Sequence, residues 1–171
     1  MYKRINLFLQ RFFKKSTIFK SLFNISPMYR RSCGRIIQTS EDMSYVLVRI
    51  KLSWRNVNYN GSIFGGSLFS ATDPIYMIQY IELLGHDYVV WDKSAKIYFK
   101  KPARETVYAE FVVTPSEVEV VKQQVELNGA YTFNKEVNIT NKDKTIVYAI
   151  AEKEIYVATK AHYQNRRKKE S

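Results

Sequence analysis

Three residues near the middle of the chain carry the groups that acyl transfer requires. Gly65 and Gly66 come just before a long apolar run that ends at Gly85, so we predict that they start a helix. Backbone N–H groups at a helix start have no partner within the helix, and glycine lets a carbonyl oxygen or an anion come close to them. Asp73 lies seven residues after Gly66, about two helical turns, and is expected on the same face. An N–H pair beside a carboxylate is suited to acyl transfer.

The same residues also have structural interpretations. Asp-Pro often starts a helix, so Asp73 could act only as a cap for a helix that restarts at Pro74. Inside one continuous helix, Pro74 would leave the carbonyl of Ser70 unbonded and kink the chain. For the two glycines the alternative is close packing of the helix on a strand. For Asn58 and Asn60 it is turn formation.

The stretch around these residues resembles a known family. F-G-G-S-L-F-S-A-T-D is similar to the H-G-G-x-x-x-x-x-x-D signature of hotdog-fold acyl-CoA thioesterases of the phenylacetyl-CoA type. Asn58 and Gly61 stand at the offsets of the Asn and Gly that precede that motif. A fuller similarity, to a subfamily with Phe in place of the motif His, spans Asn56 to Pro102. It runs through N-x-N-Y-x-G-x-x-F-G-G-S-L, D-P-x-Y-M, L-G-x-D-Y-V-V-W-D-K-S-A and K-P, and a looser likeness extends from about Cys33 to Ala158.

The resemblance implies a thioester-hydrolysing site. The N–H groups of Gly65 and Gly66 would stabilise the oxyanion, and Asn58 would orient the water or the thioester. Asp73, reaching the site from a partner subunit, would activate water or attack the carbonyl directly. Phe64 occupies the position of the motif His, so the contribution of that His is missing.

The implied substrate is an acyl-CoA, with coenzyme A as part of the substrate and not as a cofactor. The residues expected to bind it are Asn60, Gly61, Phe64, Ser67 and Lys93. Basic residues at the rim, including those of the termini, would meet the CoA phosphates. Hotdog proteins form homodimers or homotetramers with sites between subunits, and we expect the same here. The competing class is a non-catalytic hotdog protein that binds acyl-CoA or an acyl chain.

The composition fits one domain with a substantial core. The chain has 171 residues, of which 46% are hydrophobic. A single cysteine, Cys33, cannot form an internal disulfide, which favours a reducing, cytoplasmic location. No apolar run reaches the roughly 18 residues that a membrane-spanning helix needs. One cysteine and two distant histidines cannot make a metal-ligand cluster, so we expect no metal.

The net charge of +11 belongs to the two ends of the chain. Residues 1–40 contain nine Lys or Arg and no acid, and residues 160–171 contain five Lys or Arg and one Glu. The remainder has 13 basic and 15 acidic residues. We therefore expect solvated basic termini and no nucleic-acid partner.

The chain divides into an N-terminal extension (1–30), a hotdog domain (31–159) and a basic, flexible tail without a hydrophobic pattern (160–171). Apolar residues spaced by three, four and seven over residues 4–25 predict an amphipathic helix that ends before Pro27. We favour a helix docked on the domain or on a second subunit. A transit peptide, which would place the protein in the mitochondrial matrix, and a helix on an anionic membrane surface are the alternatives.

Alternating apolar residues predict the strands of an α+β fold, in which an antiparallel sheet wraps one long helix over residues 66–84. The predicted strands cover residues 34–40, 45–54, 88–100 and 107–113, followed by a hairpin over 131–157. In residues 88–100 we expect Trp91 and Ile97 on one face with Lys93, which then needs either Asp73, a CoA phosphate or a β-bulge that turns it outward. A capping box of Ser116 and Glu119 predicts a short helix that ends at Asn128.

Overall fold

One antiparallel sheet forms the frame of the molecule. The computed structural model describes residues 15–170. The helices are α1 Lys15–Ile25, α2 Pro27–Arg31, α3 Gly65–Thr72, α4 Ile75–Leu84, α5 Pro115–Asn128 and α6 Lys160–Glu170. The strands are β1 Gly34–Thr39, β2 Tyr45–Ile50, β3 Tyr88–Phe99, β4 Val107–Val112, β5 Ala130–Thr140 and β6 Val147–Thr159. The predicted order of elements in the domain is confirmed.

The strands pair in the order β1-β2-β4-β5-β6-β3, and every pair is antiparallel. The predicted hairpin of β5 and β6 is confirmed, with its turn over residues 141–146. β1 and β3 lie at the two edges of the sheet. Most of the strand residues that point inward are apolar, since they face the central helices, as the alternation predicts.

A β-bulge in β3 changes which side chains face inward. The pairing with β6 shifts register between Asp92 and Ser94, so the extra residue is Lys93. Before the bulge Val90 is buried and Trp91 is exposed, which corrects the prediction that Trp91 shares a face with Ile97. An added residue in a strand reverses the alternation beyond it, since successive side chains point to opposite faces.

The central helix is divided in two at Asp73 and Pro74, instead of running unbroken from residue 66 to 84. Pro74 lacks the N–H that would continue the ladder of hydrogen bonds. Both halves bury their apolar faces against the sheet, and Tyr76 and Tyr80 make edge-to-face contacts with Phe111 and Phe133 at 4.9 Å between ring centroids. The division leaves Asp73 beside the sheet in the middle of the helical layer.

The described part of the N-terminal extension packs on the domain. Phe19 and Phe23 of α1 contact the core, and Phe23 lies 4.5 Å from the ring of the fully buried Tyr29. The side chain of Asn24 donates to the carbonyl of Ile36 at 2.8 Å and accepts from its N–H at 2.9 Å. This agrees with the docked-helix prediction for residues 15–25, whereas residues 4–14 of that predicted helix lie outside the described part.

Three further expectations need correction. β2 ends at Ile50, and Trp54 lies in the following loop with 82% of its surface exposed. The N-cap of α5 is Thr114 with Glu117 as its capping-box partner, so the box lies two residues before the predicted one. Residues 160–170 form a helix instead of an irregular tail. Among the helices of residues 15–170, none is long and apolar enough to cross a membrane.

Candidate functional site

A loop held by Asn56 leads from β2 to the start of α3. Asn56 is buried; its side-chain oxygen accepts from the N–H of Ser53 at 2.8 Å, and its backbone carbonyl accepts from the N–H of Phe64 at 2.7 Å. An isolated bridge between Val57 and Ile63 closes the loop. The chain therefore enters the helix from a fixed direction. Asn56 was not among the predicted site residues, although it opens the stretch of family resemblance.

The two glycines at the start of α3 each allow an aromatic ring to approach closely. A Cβ atom on Gly65 would lie 2.6 Å from the ring of Phe99, and one on Gly66 would lie 2.3 Å from the ring of Phe64. The structural alternative for the glycines is therefore supported. Their backbone N–H groups nevertheless have no acceptor within the described residues. Phe64 and Phe99 are both more than half exposed, so the start of α3 is bordered by an apolar, accessible edge.

The predicted residues Asn58, Asn60 and Gly61 belong to the loop just before this helix start. The side-chain oxygen of Asn58 accepts from the N–H groups of Asn60 and Ser62, each at 3.0 Å, and its amide nitrogen donates to the Ser62 hydroxyl. Gly61 has a positive φ of 72°, which closes the turn. Both ends of the Asn58 amide are thus used to hold the loop, as the turn interpretation expects.

The other two predicted substrate-binding residues lie apart from each other. Ser67 is buried in the first turn of α3, where its N–H donates to the carbonyl of Phe64 at 2.9 Å. Lys93 is the bulge residue of β3; its side chain is half exposed and pairs with Glu154 at 3.8 Å. The structure therefore has the outward-turning bulge, and the lysine beside Asp73 is a different one.

Lys153 of β6 forms an ion pair with Asp73. Its side chain is only 2% exposed, and its ammonium group also donates to the carboxylate of Asp92 at 3.0 Å. The carboxylate of Asp73 is 48% exposed, whereas that of Asp92 is 19% exposed. A lysine withdrawn from water needs such partners, because an unpaired buried charge is very costly. One buried cation therefore holds an open carboxylate and a more enclosed one.

The capping interpretation of Asp73 does not describe what is observed. The residue that caps α4 is Pro74, and no side chain hydrogen bonds to the first N–H groups of that helix. The backbone of Asp73 is helical, and its N–H donates to the carbonyl of Phe69 at 2.9 Å. The side chain of Asp73 is thus directed to Lys153 and to solvent instead of to the helix that follows.

Burial is the main influence on Asp92. Desolvation raises the pKa of this carboxyl above its ordinary value of 3.8, and the nearby Asp73 raises it further, while the hydrogen bond from Lys153 acts in the opposite direction. One oxygen, Oδ1, is buried and has no hydrogen-bond partner within residues 15–170. The net effect favours the protonated form of Asp92.

Sequence reasoning missed Lys153 and Asp92, although one signal was present. β6 alternates as Ala149, Ala151, Lys153 and Ile155 on its inward face, so a lysine stands in an apolar row. Asp92 faces inward only because of the bulge that follows it. In residues 15–170 no group of three or more His, Cys, Asp or Glu is placed to hold a metal.

The glycines and Asp73 lie at opposite ends of α3. Seven residues separate Gly66 from Asp73, which is about 10 Å at the rise of an α-helix. A thioester carbonyl that accepts from the helix start would therefore lie too far from Asp73 of the same chain for direct attack.

Comparison with known proteins assigns the chain to a family. A family model described as a domain of unknown function (DUF4442) matches residues 15–157. The chain belongs to the DUF4442 family. A search of curated proteins gave no match.

Solved structures share the architecture of this DUF4442 chain. A Pseudomonas aeruginosa protein of unknown function, named as a probable thioesterase, has a TM-score of 0.72 and 17% identity, covering 84% of this chain and 95% of its own. A Chlorobaculum tepidum protein of unknown function has a TM-score of 0.67 and 15% identity, covering 84% and 94%. A Haemophilus influenzae thioesterase has a TM-score of 0.60 and 12% identity, covering 84% and 90%. At these identities the similarity establishes the fold: the DUF4442 chain has the hotdog fold that the sequence resemblance implied.

Proposed function

We propose that the protein is an acyl-CoA thioesterase whose site is completed by a second subunit. The observation that carries the proposal is the pair of N–H groups at Gly65 and Gly66, which have no acceptor among the described residues and belong to glycines that the exposed rings of Phe64 and Phe99 approach closely. The thioesterase names of two similar hotdog structures support the same reaction class.

In the proposed reaction the thioester carbonyl oxygen accepts hydrogen bonds from Gly65 and Gly66. These donors stabilise the oxyanion that forms when the carbonyl carbon is attacked. Asp73 of the second subunit takes a proton from water as the new C–O bond forms, and the proton then passes to the departing thiolate. The products are the free acid and the CoA thiol. The alternative is direct attack by Asp73, with hydrolysis of the resulting anhydride.

The need for a second subunit follows from the length of α3. Its two ends are too far apart to act on one carbonyl, whereas the same two ends from neighbouring copies can lie together across a two-fold axis. β3 offers a surface for such pairing. It is a 12-residue edge strand that pairs only with β6 in the described part of the chain, and Trp91 on it is 53% exposed. We propose a homodimer or a homotetramer.

The proposed role of Asn58 is to hold the loop that precedes the helix start. Its amide makes four hydrogen bonds within the turn. Phe64, which replaces the motif His, lies against Gly66 and would contact the acyl or pantetheine part of the thioester. Both residues therefore shape the site next to the N–H groups.

The test is free-thiol release from short, long and aromatic acyl-CoAs by wild type, Asp73→Asn and the control Asp143→Asn. Asp143 is an exposed carboxylate in the turn between β5 and β6, so its variant makes the same chemical change elsewhere. We expect turnover by wild type and by the control, and a loss of at least about a hundredfold in Asp73→Asn. Wild-type turnover that survives unchanged in Asp73→Asn would contradict the assignment of Asp73.

A non-catalytic acyl-CoA-binding protein is the second candidate. The ion pair between Asp73 and Lys153 favours it, because it gives Asp73 a structural task that requires no reaction. In that case acyl-CoA binds equally to wild type and to Asp73→Asn, and neither releases thiol. Calorimetric titration of both proteins with a non-hydrolysable acyl-CoA thioether measures this binding directly.

A further inference from the structure

A basic groove lies on the outer side of β1 and β2. Its volume is about 530 Å³. Five cationic side chains line it, together with one tryptophan: Arg30, Arg35, Arg49, Lys51, Arg55 and Trp54. They come from α2, from both strands and from the loop after β2, so the N-terminal extension forms one wall.

The five cations have no acidic partners in the described part of the chain. None of them forms an ion pair with a carboxylate there. Glu110, on the same outer face of β4, is occupied by Lys144 and by the hydroxyl of Tyr45. Residues 1–14 contain no Asp or Glu. The charge of the groove is therefore available to a ligand.

The sheet register makes this arrangement unfavourable without an anion. Arg35 and Arg49 are direct partners across the antiparallel pair of β1 and β2. Like charges directly opposite each other destabilise a sheet, and Lys51 extends the same outward row. Cations that were merely spread over the surface would not need to occupy directly opposed positions of two paired strands. An anion that accepts from both guanidinium groups would turn the repulsion into a favourable contact.

Trp54 supplies a second recognition element. Its ring is 82% exposed, and the guanidinium of Arg55 lies 5.1 Å from the ring centroid. An exposed indole beside cations is a surface on which a purine can stack while its phosphates meet arginines. The groove therefore fits a purine nucleotide better than inorganic phosphate alone.

The groove is also next to the start of α3. Ser53 lines the groove, and its N–H donates to the side chain of Asn56 at 2.8 Å. The carbonyl of the same Asn56 accepts from the N–H of Phe64 at 2.7 Å. One buried residue therefore connects the edge of the groove to the unbonded N–H groups of Gly65 and Gly66. A ligand with a nucleotide at one end and a flexible arm could occupy both places.

We infer that this groove binds the 3′-phosphorylated ADP end of the acyl-CoA substrate. Arg35 and Arg49 contact phosphate, and Trp54 stacks on the adenine. The identity of the ligand rests on the proposed thioesterase function, whereas the groove as a nucleotide site does not. Of the cations in the groove, Arg30 and Arg35 belong to the basic segment of residues 1–40 that the sequence indicated, whereas Arg49, Lys51 and Arg55 follow it in the domain.

The binding test uses adenosine 3′,5′-bisphosphate, which carries the nucleotide end alone. The variants are Arg35→Gln/Arg49→Gln and the control Lys122→Gln/Lys142→Gln, which removes two charges elsewhere. We expect calorimetry to show binding by wild type and control, and affinity lower by about tenfold or more in the arginine variant. Trp54→Ala, a second variant outside the sheet, should also weaken binding. Because the substitution relieves repulsion, the arginine variant should unfold at a temperature no lower than wild type.

The kinetic test compares an acyl-CoA with the same acyl group on pantetheine, which lacks the nucleotide. We expect the arginine variant to have a higher KM for acyl-CoA, an unchanged kcat and unchanged kinetics with acyl-pantetheine. If wild type releases no thiol but binds the bisphosphate through these arginines, the proposed reaction fails and the nucleotide site stands. Equal bisphosphate binding by wild type and both arginine and tryptophan variants would overturn the inference. So would binding of an RNA oligomer or of phosphatidylserine vesicles that the bisphosphate does not displace.

Discussion

Lys153 is the residue with the largest influence on the geometry around Asp73. It occupies an inward position of β6, directly opposite Lys135 of β5. Two lysines side by side on the inner face are tolerated because each has its own acidic partners. Lys135 pairs with Glu117 at 2.5 Å, and Lys153 pairs with Asp73 and Asp92. Removing Lys153 would leave the more enclosed carboxylate, that of Asp92, without a counter-charge in a poorly solvated place.

We expect Lys153→Met to lower the free energy of unfolding by about 3–5 kcal/mol, the usual cost of breaking a buried ion pair on one side. Lys153→Arg keeps the charge and should lose less. Urea unfolding at neutral pH measures both. If the protein is an enzyme, the arginine variant should also retain more turnover than the methionine variant, because it still holds Asp73. A methionine variant as stable as wild type would show that the ion pair contributes nothing.

Asp92 should make stability depend on pH in a defined direction. Its folded pKa is raised above the ordinary 3.8, so the fold favours its protonated form. The stability that it contributes is therefore present below pH 3.8 and is lost as the pH rises through the folded pKa. Asp92→Asn cannot titrate, so its stability relative to wild type should increase as the pH rises through that window. Urea unfolding of both proteins from about pH 3 to pH 7 checks this. A constant difference would contradict the pKa shift.

At the scale of elements, the bulge in β3 determines which charges face the core. If all residues of β3 alternated regularly, with no bulge at Lys93, Trp91 would lie on the same face as Ile97, as the alternation predicted, and Asp92 would point outward. With the bulge, Val90 and Asp92 point inward and Lys93 stays half exposed. A bulge of this kind changes the direction of side chains next to a site and interrupts the hydrogen-bond pairing of the two strands locally.

Deleting Lys93 should remove the bulge without reversing either half of β3. Asp92 and Ser94 pair with the consecutive residues Ile155 and Glu154, so the shortened strand pairs regularly with β6 and keeps Asp92 beside Lys153. Lys93→Ala keeps the bulge and removes only a half-exposed ion pair, so we expect a change within about 0.5 kcal/mol. Thermal unfolding followed by circular dichroism compares the two. A melting temperature far lower for the deletion than for Lys93→Ala would mean that the bulge itself is needed to hold Asp92 inward.

At the scale of the whole molecule, the site is proposed to need two copies of the chain. Gly65→Pro removes one N–H from the helix start, and proline fits there because Phe64 has φ −59° and ψ 129°. Gly65→Ala is the matched control, since it adds a Cβ against Phe99 but keeps the N–H. We expect Gly65→Pro and Asp73→Asn each to be nearly inactive as pure oligomers.

Mixing the two inactive variants should restore activity. In a mixed dimer one site combines an intact Gly65 with an intact Asp73, so random exchange should give about a quarter of the wild-type turnover. The measurement is thiol release after the two proteins are co-expressed or unfolded and refolded together. No recovery, with mixed dimers demonstrated by native mass spectrometry, would place both groups in one chain.

The local features of this chain follow from its sequence. The strict alternation in β2 and β4 sets two half-buried strands, and the polar turn after Thr140 sets the hairpin. The glycines before an apolar run set a helix start, since their effect on the backbone depends on near neighbours alone. The similarity over residues 56–102 added the hotdog fold. Boundaries were less certain, because the end of β2 and the N-cap of α5 depend on which of several adequate residues the packing selects.

The tertiary structure determined which side chains are in contact. Asp73 meets Lys153 across 80 residues of chain, and their ion pair requires both the helix break at Pro74 and the inward register of β6. Arg35 stands opposite Arg49 only because β1 and β2 pair in one particular register. Such contacts depend on strand pairing and burial, which are set by the packing of the whole core and leave no periodic trace in the sequence. The sequence by itself therefore determined the strands of the domain and the helix start, whereas the tertiary structure alone placed a buried cation beside Asp73 and gathered five cations into one groove.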